Sequence, residues 1–515
     1  MKRSTLFLQA LFIGILIVLS TAGISFGQET EAQEIEKLGT QLPIWSIIPF
    51  IGILLSIALF PLFAPEFWHH HYGKISALWS IILAVPFIIF FRGEAVHEIL
   101  FMYIRDYIPF IILLWALYTI TGGILIQGDL WGSPGLNTLL LLFGTFLASW
   151  IGTTGASILL IRPLLRINKI RKTNIHVIIF FIFLVSNVGG SLTPLGDPPL
   201  FIGFLHGVPF FWTFKILPDL AFNAGILLLL FYLIDSYYYK KEGLSKLGVH
   251  IRGIILTDKT KEKGDIEIDE IISRYKQETH KVERVKERLR VRGLPNGLLL
   301  IGVMGGVLFS GLVRLPEVNI LGIPAEAQDL IRDAFLILLG IISFRFTPHQ
   351  IHKDNGFTWF PIKEVAYLFA GIFTTIVPAL ILLRAGESGN LGFLIKAIKE
   401  PWHYFWITGG LSSFLDNTPT YLTFFSTVLG RFYPGVPEST AVARLIAEHH
   451  VYLEAIATGA VFMGAMTYIG NAPNFMVKSI SEENNIKMPS FFGYMGYSIV
   501  ILIPIYILST FIFLR

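Results

Sequence analysis

The sequence predicts an all-α polytopic membrane protein built as an inverted-topology repeat. Each half is expected to hold about five transmembrane helices and one re-entrant hairpin, with broken helices at the membrane midplane. Three observations predict this. Of the 515 residues, 53% are hydrophobic and only 15% charged, with a mean hydropathy of +0.65, whereas soluble domains carry about 25% charge. Apolar runs close to the roughly 20 residues a spanning helix needs recur along the chain. Two short motifs occur twice, in the same order. The composition excludes a disordered chain, which is poor in apolar residues, and an outer-membrane barrel, whose strands alternate apolar and polar residues. Net charge is +4 and no basic cluster is interleaved with aromatics, so nucleic acid is not an expected partner. There is no cysteine, which removes disulfides, thiolate nucleophiles and thiolate metal sites.

Lys2 and Arg3 precede an apolar run from Leu6 to Leu19, and Ser25-Phe26-Gly27 is an acceptable cleavage site. Residues 1–27 therefore read as a secretory signal peptide; an uncleaved first helix is the alternative. A short extracytoplasmic segment, 28–41, follows. Spans are expected at about 43–64, 75–92, 105–127, 174–196 and 216–238, then at 296–313, 328–345, 363–384, 450–477 and 490–513. Two further apolar stretches, 137–165 and 403–429, are interrupted at their centres by polar or Gly/Pro clusters. Two half-length helices meeting at a buried tip explain such an interruption. Residues 42–238 form the first repeat and 296–515 the second, inverted one. Between them, 239–295 holds 15 of the 40 Lys and Arg and reads as a charged cytoplasmic connector under the positive-inside rule. The signal peptide and the basic run Arg162, Arg166, Lys169, Arg171 and Lys172 support the same orientation, with the mature N-terminus outside and the chain in the cell inner membrane.

The repeat shows at residue level. Gly190-Ser-Leu-Thr193-Pro-Leu-Gly196-Asp197-Pro198-Pro199 in the first half matches Gly464-Ala-Met-Thr467-Tyr-Ile-Gly470-Asn471-Ala-Pro473 in the second. Both contain G-x-x-T-x-[LI]-G-[DN]-x-P. The hairpin tips correspond as well: Ser149-Trp-Ile-Gly-Thr153-Thr154-Gly155 aligns with Ser413-Phe-Leu-Asp416-Asn417-Thr418-Pro419. Five crossings per half is an odd number, so the second copy starts on the opposite side, as in many secondary transporters.

A helix broken at membrane depth frees backbone N–H and C=O groups, which must be bonded or line a polar cavity. Carbonyls suit a cation and helix N-termini an anion. Gly189, Gly190, Gly196, Gly464 and Gly470 let the chain turn and approach a ligand. Pro198, Pro199 and Pro473 begin or end half-helices. Thr153, Thr154, Thr193, Thr418 and Thr467, with Ser186, Ser191 and Ser413, can supply hydroxyl oxygens. Asn187, Asn417, Asn471 and Asn474 can supply amide oxygens, and all of these suit a hard cation such as sodium. A carboxylate at membrane depth is costly and is a functional hypothesis by default. Asp416, at the second tip, is the leading candidate, because a proton and a cation can compete to neutralise it. Asp197 is the second, with a turn or cap role as the alternative for each. Asp106, Asp219, Asp333, Glu364 and Arg384 lie near span ends and read as interfacial anchors. His69–His71 read as a polar loop, and His206 and His449-His450 as satisfied interfacial histidines. The Trp and most Phe are expected on lipid-facing surface and in interfacial belts.

Ser-Phe-Leu-Asp-Asn-Thr-Pro-Thr at 413–420 resembles the S-x-x-x-D-N hairpin motif of the ion transporter superfamily, and 189–199 resembles its G-G-x-x-T-x-I-G-[TD]-P-P. The superfamily includes NhaD-type sodium/proton antiporters, arsenite permeases, citrate transporters and divalent anion/sodium symporters. The chain looks closest to the citrate-transporter-like group. The resemblance implies a scaffold part that often mediates homodimers, a moving part that carries both hairpins, and alternating access. It does not set the substrate. Dicarboxylate symporters typically carry Ser-Asn-Thr at both tips, whereas here the tips read Gly-Thr-Thr-Gly and Asp-Asn-Thr-Pro. A sodium (or other cation)/proton antiporter is therefore the leading expectation. A sodium- or proton-coupled symporter of citrate or another carboxylate is the alternative, and an arsenite or other oxyanion permease a third. The expected partners are the bilayer, small inorganic ions or a small carboxylate, and a second copy of the chain. No nucleophile elbow, HExxH, P-loop or dinucleotide fingerprint is present, so no enzyme activity and no cofactor beyond the transported ions is expected.

Overall fold

The structure is a computed structural model that describes residues 37–127, 132–169, 171–244 and 290–515. The expected signal peptide, and 245–289 within the charged connector, lie outside the described residues.

Proline sets where many of the helices begin. It sits in the first turn of α1 (Ile48–Phe63), α2 (Pro65–Met102) and α3 (Ile108–Gly122), where its missing N–H costs nothing. A π turn, Tyr103–Tyr107, joins α2 to α3. A short strand β1 (Leu125–Gln127) precedes the first hairpin, α4 (Pro134–Ile151) and α5 (Thr153–Ile167). Next come α6 (Ile175–Leu184), an irregular stretch, α7 (Pro198–Leu205) and α8 (Leu217–Lys241). The far end of the connector returns as β2 (Arg290–Arg292), antiparallel to β1, with Leu125 opposite Arg292. The second half follows. It runs α9 (Pro295–Leu312), the hairpin β3 (Glu317–Ile320) with β4 (Ile323–Glu326), α10 (Ala327–Phe346), a short α11 (His349–Asp354), α12 (Phe360–Thr375) and α13 (Val377–Arg384). After a short α14 (Gly392–Ala397) come the second hairpin, α15 (Pro401–Ser412) and α16 (Asn417–Phe432), then an amphipathic α17 (Glu438–Glu448). The broken pair α18 (His450–Met463) and α19 (Ala472–Glu483) and a last helix α20 (Phe491–Phe513) complete the chain.

Among the described residues six helical stretches are long and apolar enough to cross a membrane, or seven if α12 and α13, bent by 41°, form one span. One of the six, Pro65–Gly122, folds back on itself. Arg92 has φ 49° and ψ −116°, a conformation a helix cannot contain. Ser76 Oγ donates to the Tyr367 carbonyl (2.6 Å), while Tyr103 donates to the Ala370 carbonyl (3.1 Å). Ser76 and Tyr103 would lie about 40 Å apart on a straight helix, yet their partners share one turn of α12. The second expected span thus begins at 65 rather than 75, because nothing between Pro65 and Lys74 breaks a helix. His69–His71 lie on α2 and not in a loop, with the His70 and His71 rings bonded to carbonyls four residues back. The third span ends at Gly122, not at 127.

Buried apolar side chains form two bodies. One is built from the hairpins, the broken helices and the last helix of each half, α4–α8 and α15–α20. The other is built from α1–α3, α9, α10, α12 and α13. Phe201, Ile202 and Phe204 of α7 pack into the second body while Leu200 packs into the first, so α7 runs along the seam. The aromatic residues expected at lipid are divided. Trp68, Trp212, Phe180, Phe181 and Phe183 are buried, whereas Phe63, Phe90 and Phe492 are open to the surroundings.

The hairpins enter from opposite ends of α10. Arg332, near its start, shares a cavity with Leu429 and Tyr433 at the base of the second hairpin. Arg162 of the first hairpin donates to the Asn355 carbonyl beyond the other end (2.5 Å). The 14 residues of α10 beyond Arg332 span about 21 Å.

Candidate functional site

The first hairpin turns on one residue. Gly152 has φ +83°, a left-handed conformation that glycine adopts without strain. Thr153 then starts α5, and its N–H donates to the Gly196 carbonyl (2.8 Å), so the tip is bonded to the break between α6 and α7. The second tip spans Ser413 to Asp416. Asp416 is the N-cap of α16: its carboxylate accepts from the Thr418 N–H (3.0 Å), and the residue is partly exposed.

Both breaks are closed by the same bonds. Thr193 Oγ1 donates to the Ser149 carbonyl and accepts from Leu195 N (3.1 Å). Thr467 Oγ1 donates to the Ser413 carbonyl and accepts from Ile469 N (3.2 Å) and Gly470 N (3.1 Å). A hydroxyl has one proton and two lone pairs, so the Thr467 hydroxyl is fully engaged. Thr193 and Thr467 thus brace the tips onto the breaks, a use different from the ligand role expected of them. The glycines permit this approach. A Cβ at Gly190 would lie 2.6 Å from Thr153 Cγ2 and 3.0 Å from Asp197 Cβ, and one at Gly470 would lie 2.6 Å from the Gly464 carbonyl. A Cβ at Gly189 would lie 2.6 Å from the Thr145 carbonyl oxygen, one at Gly464 would lie 2.9 Å from Asn187 Oδ1, and one at Gly196 would clash with the Gly190 carbonyl.

Asp197 sits at the centre. It occupies the N-cap position of α7 but makes no cap bond with its side chain. Pro198 and Pro199 fill the first two helical positions without an N–H to offer, and the next N–H, of Leu200, donates to the Asp197 carbonyl (3.1 Å). The carboxylate instead accepts from Thr153 Oγ1 (2.8 Å), Asn471 Nδ2 (3.2 Å) and Asn417 Nδ2. It therefore joins the first tip, the second tip and the second break. Asp197 is 1% exposed, and among the described residues every donor to it is neutral. The turn-or-cap alternative weighed for Asp197 fits its backbone but not its side chain.

A ring of amides surrounds it. Asn471, the N-cap of α19, also reaches the Asn187 amide oxygen (3.3 Å) and the Ser186 carbonyl (3.1 Å). Asn187 donates to Asn474 Oδ1 (2.7 Å), and Asn474 donates to the Gly464 (2.8 Å) and Thr467 (2.9 Å) carbonyls. Among the described residues Asn417 Oδ1 receives only a long 3.4 Å bond from Thr418. Thr154 is partly buried, one residue past Thr153, and no hydrogen bond joins it to this cluster among the described residues. Pro473 stands at the second position of α19. The N-termini of four half-helices, α5, α7, α16 and α19, meet here. Each carries a partial positive charge of about half a unit, which favours carboxylates at this point.

Two ionisable residues expected as interfacial anchors also make internal contacts. Asp106 is 1% exposed, and Arg384 pairs with Glu438, a residue that no sequence pattern singled out. The only available signal was its place beside Pro437 at a helix start. His206, read as a satisfied interfacial histidine, faces two carboxylates: Nδ1 meets Glu438, and Nε2 lies 3.3 Å from Asp106.

A family model described as "Putative citrate transport" matches residues 39–514. No curated protein matches the chain.

Proposed function

This chain belongs to the citrate-transporter-like family of ion transporters, and from that premise we propose that it is a secondary active cation/proton antiporter working by alternating access. The observation that carries this reading is Asp197: a buried carboxylate, held only by neutral donors, that links the two tips and one break. A tricarboxylate would meet Asp197 and Asp416 at the same centre with no lysine, arginine or histidine bonded to either among the described residues, so repulsion disfavours it as direct ligand. The carboxylate also couples charge to shape. Ionised, it is an acceptor only and satisfies three donors. A proton on the oxygen that faces Asn417 turns it into a donor, so the Asn417 amide must rotate to present its oxygen or lose the bond. The bonds at stake join the two halves of the chain. A sodium ion would be neutralised by Asp197, with Asp416, Asn417 Oδ1 and the Thr418 hydroxyl as nearby oxygens, so a proton and a cation exclude one another.

The paired Thr193–Ser149 and Thr467–Ser413 bonds, and the entry of the hairpins from opposite ends of α10, support an inverted-topology repeat with halves 42–238 and 296–515. The proposal retains an extracytoplasmic mature N-terminus, a cytoplasmic connector and a homodimer in the inner membrane. The second reading, a symporter of citrate or another carboxylate, is favoured by the four half-helix N-termini that converge on the site.

The test uses purified protein in liposomes with an internal pH-sensitive dye. Sodium, lithium, potassium and citrate are added one at a time across an imposed pH gradient. The antiporter reading expects proton flux triggered by a cation at fixed anion and lost in Asp197→Asn and Asp416→Asn. Flux that needs citrate together with sodium would replace it with the symporter.

A further inference from the structure

At one end of the molecule a cavity of about 540 Å³ opens between the two packing bodies. Four guanidinium groups, Arg105, Arg314, Arg332 and Arg384, and the His206 ring line it. Three of the four have carboxylate partners. Arg332 pairs with Asp329 (2.8 Å) and Asp333 (2.9 Å), Arg314 with Glu326 (3.1 Å), and Arg384 with Glu438, while Arg105 donates to the Pro324 carbonyl (3.0 Å). A site with most of its cations already matched has little left for an added anion.

One of these pairings, Arg384–Glu438, crosses from one body to the other, and His206, on the seam just past α7, extends it to Asp106. Arg384 ends α13 in the α1–α3 body, and Glu438 begins α17, whose Ala441, Val442 and Leu445 pack in the hairpin body. Asp106 lies in the π turn between Met102 and Phe110 of the α1–α3 body. His206 follows α7, the helix whose other end is Asp197. Glu438 accepts from both His206 and Arg384, and His206 also faces Asp106 at 3.3 Å. The order Asp106–His206–Glu438–Arg384 is thus a chain of alternating charge, with His206 in its protonated form, that starts and ends on one body and passes through the other. His206 and Asp106 are nearly buried, so water screens the contact weakly.

We propose that this four-residue chain is an ionic latch that holds the hairpin body against the α1–α3 body, and that it parts and re-forms in every transport cycle. The inference rests on the proposed reading only in requiring that the two bodies move; it does not depend on the ion carried. Any displacement of α7 that changes access to Asp197 carries His206 with it, and His206 cannot move without leaving Asp106.

Because the chain has no cysteine, an introduced pair supplies the only thiols. Asp106→Cys with His206→Cys, bridged by a short reducible bifunctional thiol reagent, is expected to stop transport in proportion to cross-link formed and to recover on reduction. Cross-linked protein that transports at the uncross-linked rate overturns the proposal. A second arm needs no transport assay. Adding Arg384→Gln to the pair is expected to slow cross-linking several-fold, since the bodies spend less time together, and the charge swap Arg384→Glu with Glu438→Arg is expected to restore it. An unchanged rate in Arg384→Gln overturns the latch. If the first pair does not fold, Arg384→Cys with Glu438→Cys takes its place in the transport arm. Cation-independent proton flux together with a latch-dependent cross-linking rate would reject the antiporter and keep the latch.

Discussion

Asp197→Asn isolates charge from shape, since the two side chains are nearly equal in size. In the native site the carboxylate takes three bonds, from Thr153, Asn471 and Asn417. Hydrogen bonds to a charged group contribute about 1.5–3 kcal/mol each, neutral ones about 1 kcal/mol. An asparagine keeps one oxygen, which can serve Thr153 and Asn471, and turns its amide N–H₂ toward Asn417. If Asn417 rotates to present its oxygen, all three contacts survive as neutral bonds. The hydrogen-bond loss is then about 1.5–6 kcal/mol in total, offset by no longer burying a charge, which costs several kcal/mol in a real protein interior. The two terms are of similar size and opposite sign. The variant should therefore fold, elute as a single species and melt within a few degrees of the parent. Exchange should nevertheless vanish, because an amide neither takes up a proton nor balances a cation. The assay is dye-reported proton flux in liposomes, with thermal melting in detergent as the control for folding. A variant that melts normally and still exchanges at the parent rate would refute the role assigned to Asp197, and with it the link between protonation and the bonds that join the two halves.

Other outcomes follow from the same geometry. Gly190→Ala drives a methyl group to 2.6 Å from Thr153 Cγ2 and should cost about 1–3 kcal/mol in overpacking. Gly225→Ala meets nothing within 4 Å and should be neutral or stabilise α8 by about 0.5–1 kcal/mol; melting temperatures check both. Thr467→Val removes a hydroxyl that makes three bonds and strands backbone groups at about 1–3 kcal/mol each, so the melt should fall sharply and Thr467→Ser should restore it. Asp235→Ala leaves the buried Arg171 guanidinium without the carboxylate 2.7 Å away. Glu242 stays 3.1 Å from Arg171 Nε, so the expected loss falls below the ~3–5 kcal/mol of an unpaired buried charge, read as reduced thermal stability with no direct effect on ion selectivity.

The sequence by itself determined the class of molecule, because a bilayer demands long apolar runs and punishes any unbonded backbone group. The runs showed the helices, and the Gly/Pro/Asn clusters inside them showed the breaks between α4 and α5, α6 and α7, α15 and α16, and α18 and α19. Proline in the first turn also marked helix starts. Tertiary structure alone decided how those parts are used. Asp416 and Asp197 look alike in sequence as carboxylates in apolar surroundings. The partners that separate them lie 220 and 274 residues from Asp197, and no local pattern encodes a contact at that distance. The fold-back at Arg92 falls between the expected spans 75–92 and 105–127, but only the packing shows that helix resumes at once after it and that both arms lie against α12. The Asp106–His206–Glu438–Arg384 chain has the same origin. Each residue taken singly resembles an interfacial charge; it is the meeting of a π turn and three distant helix ends at one cavity that makes them partners.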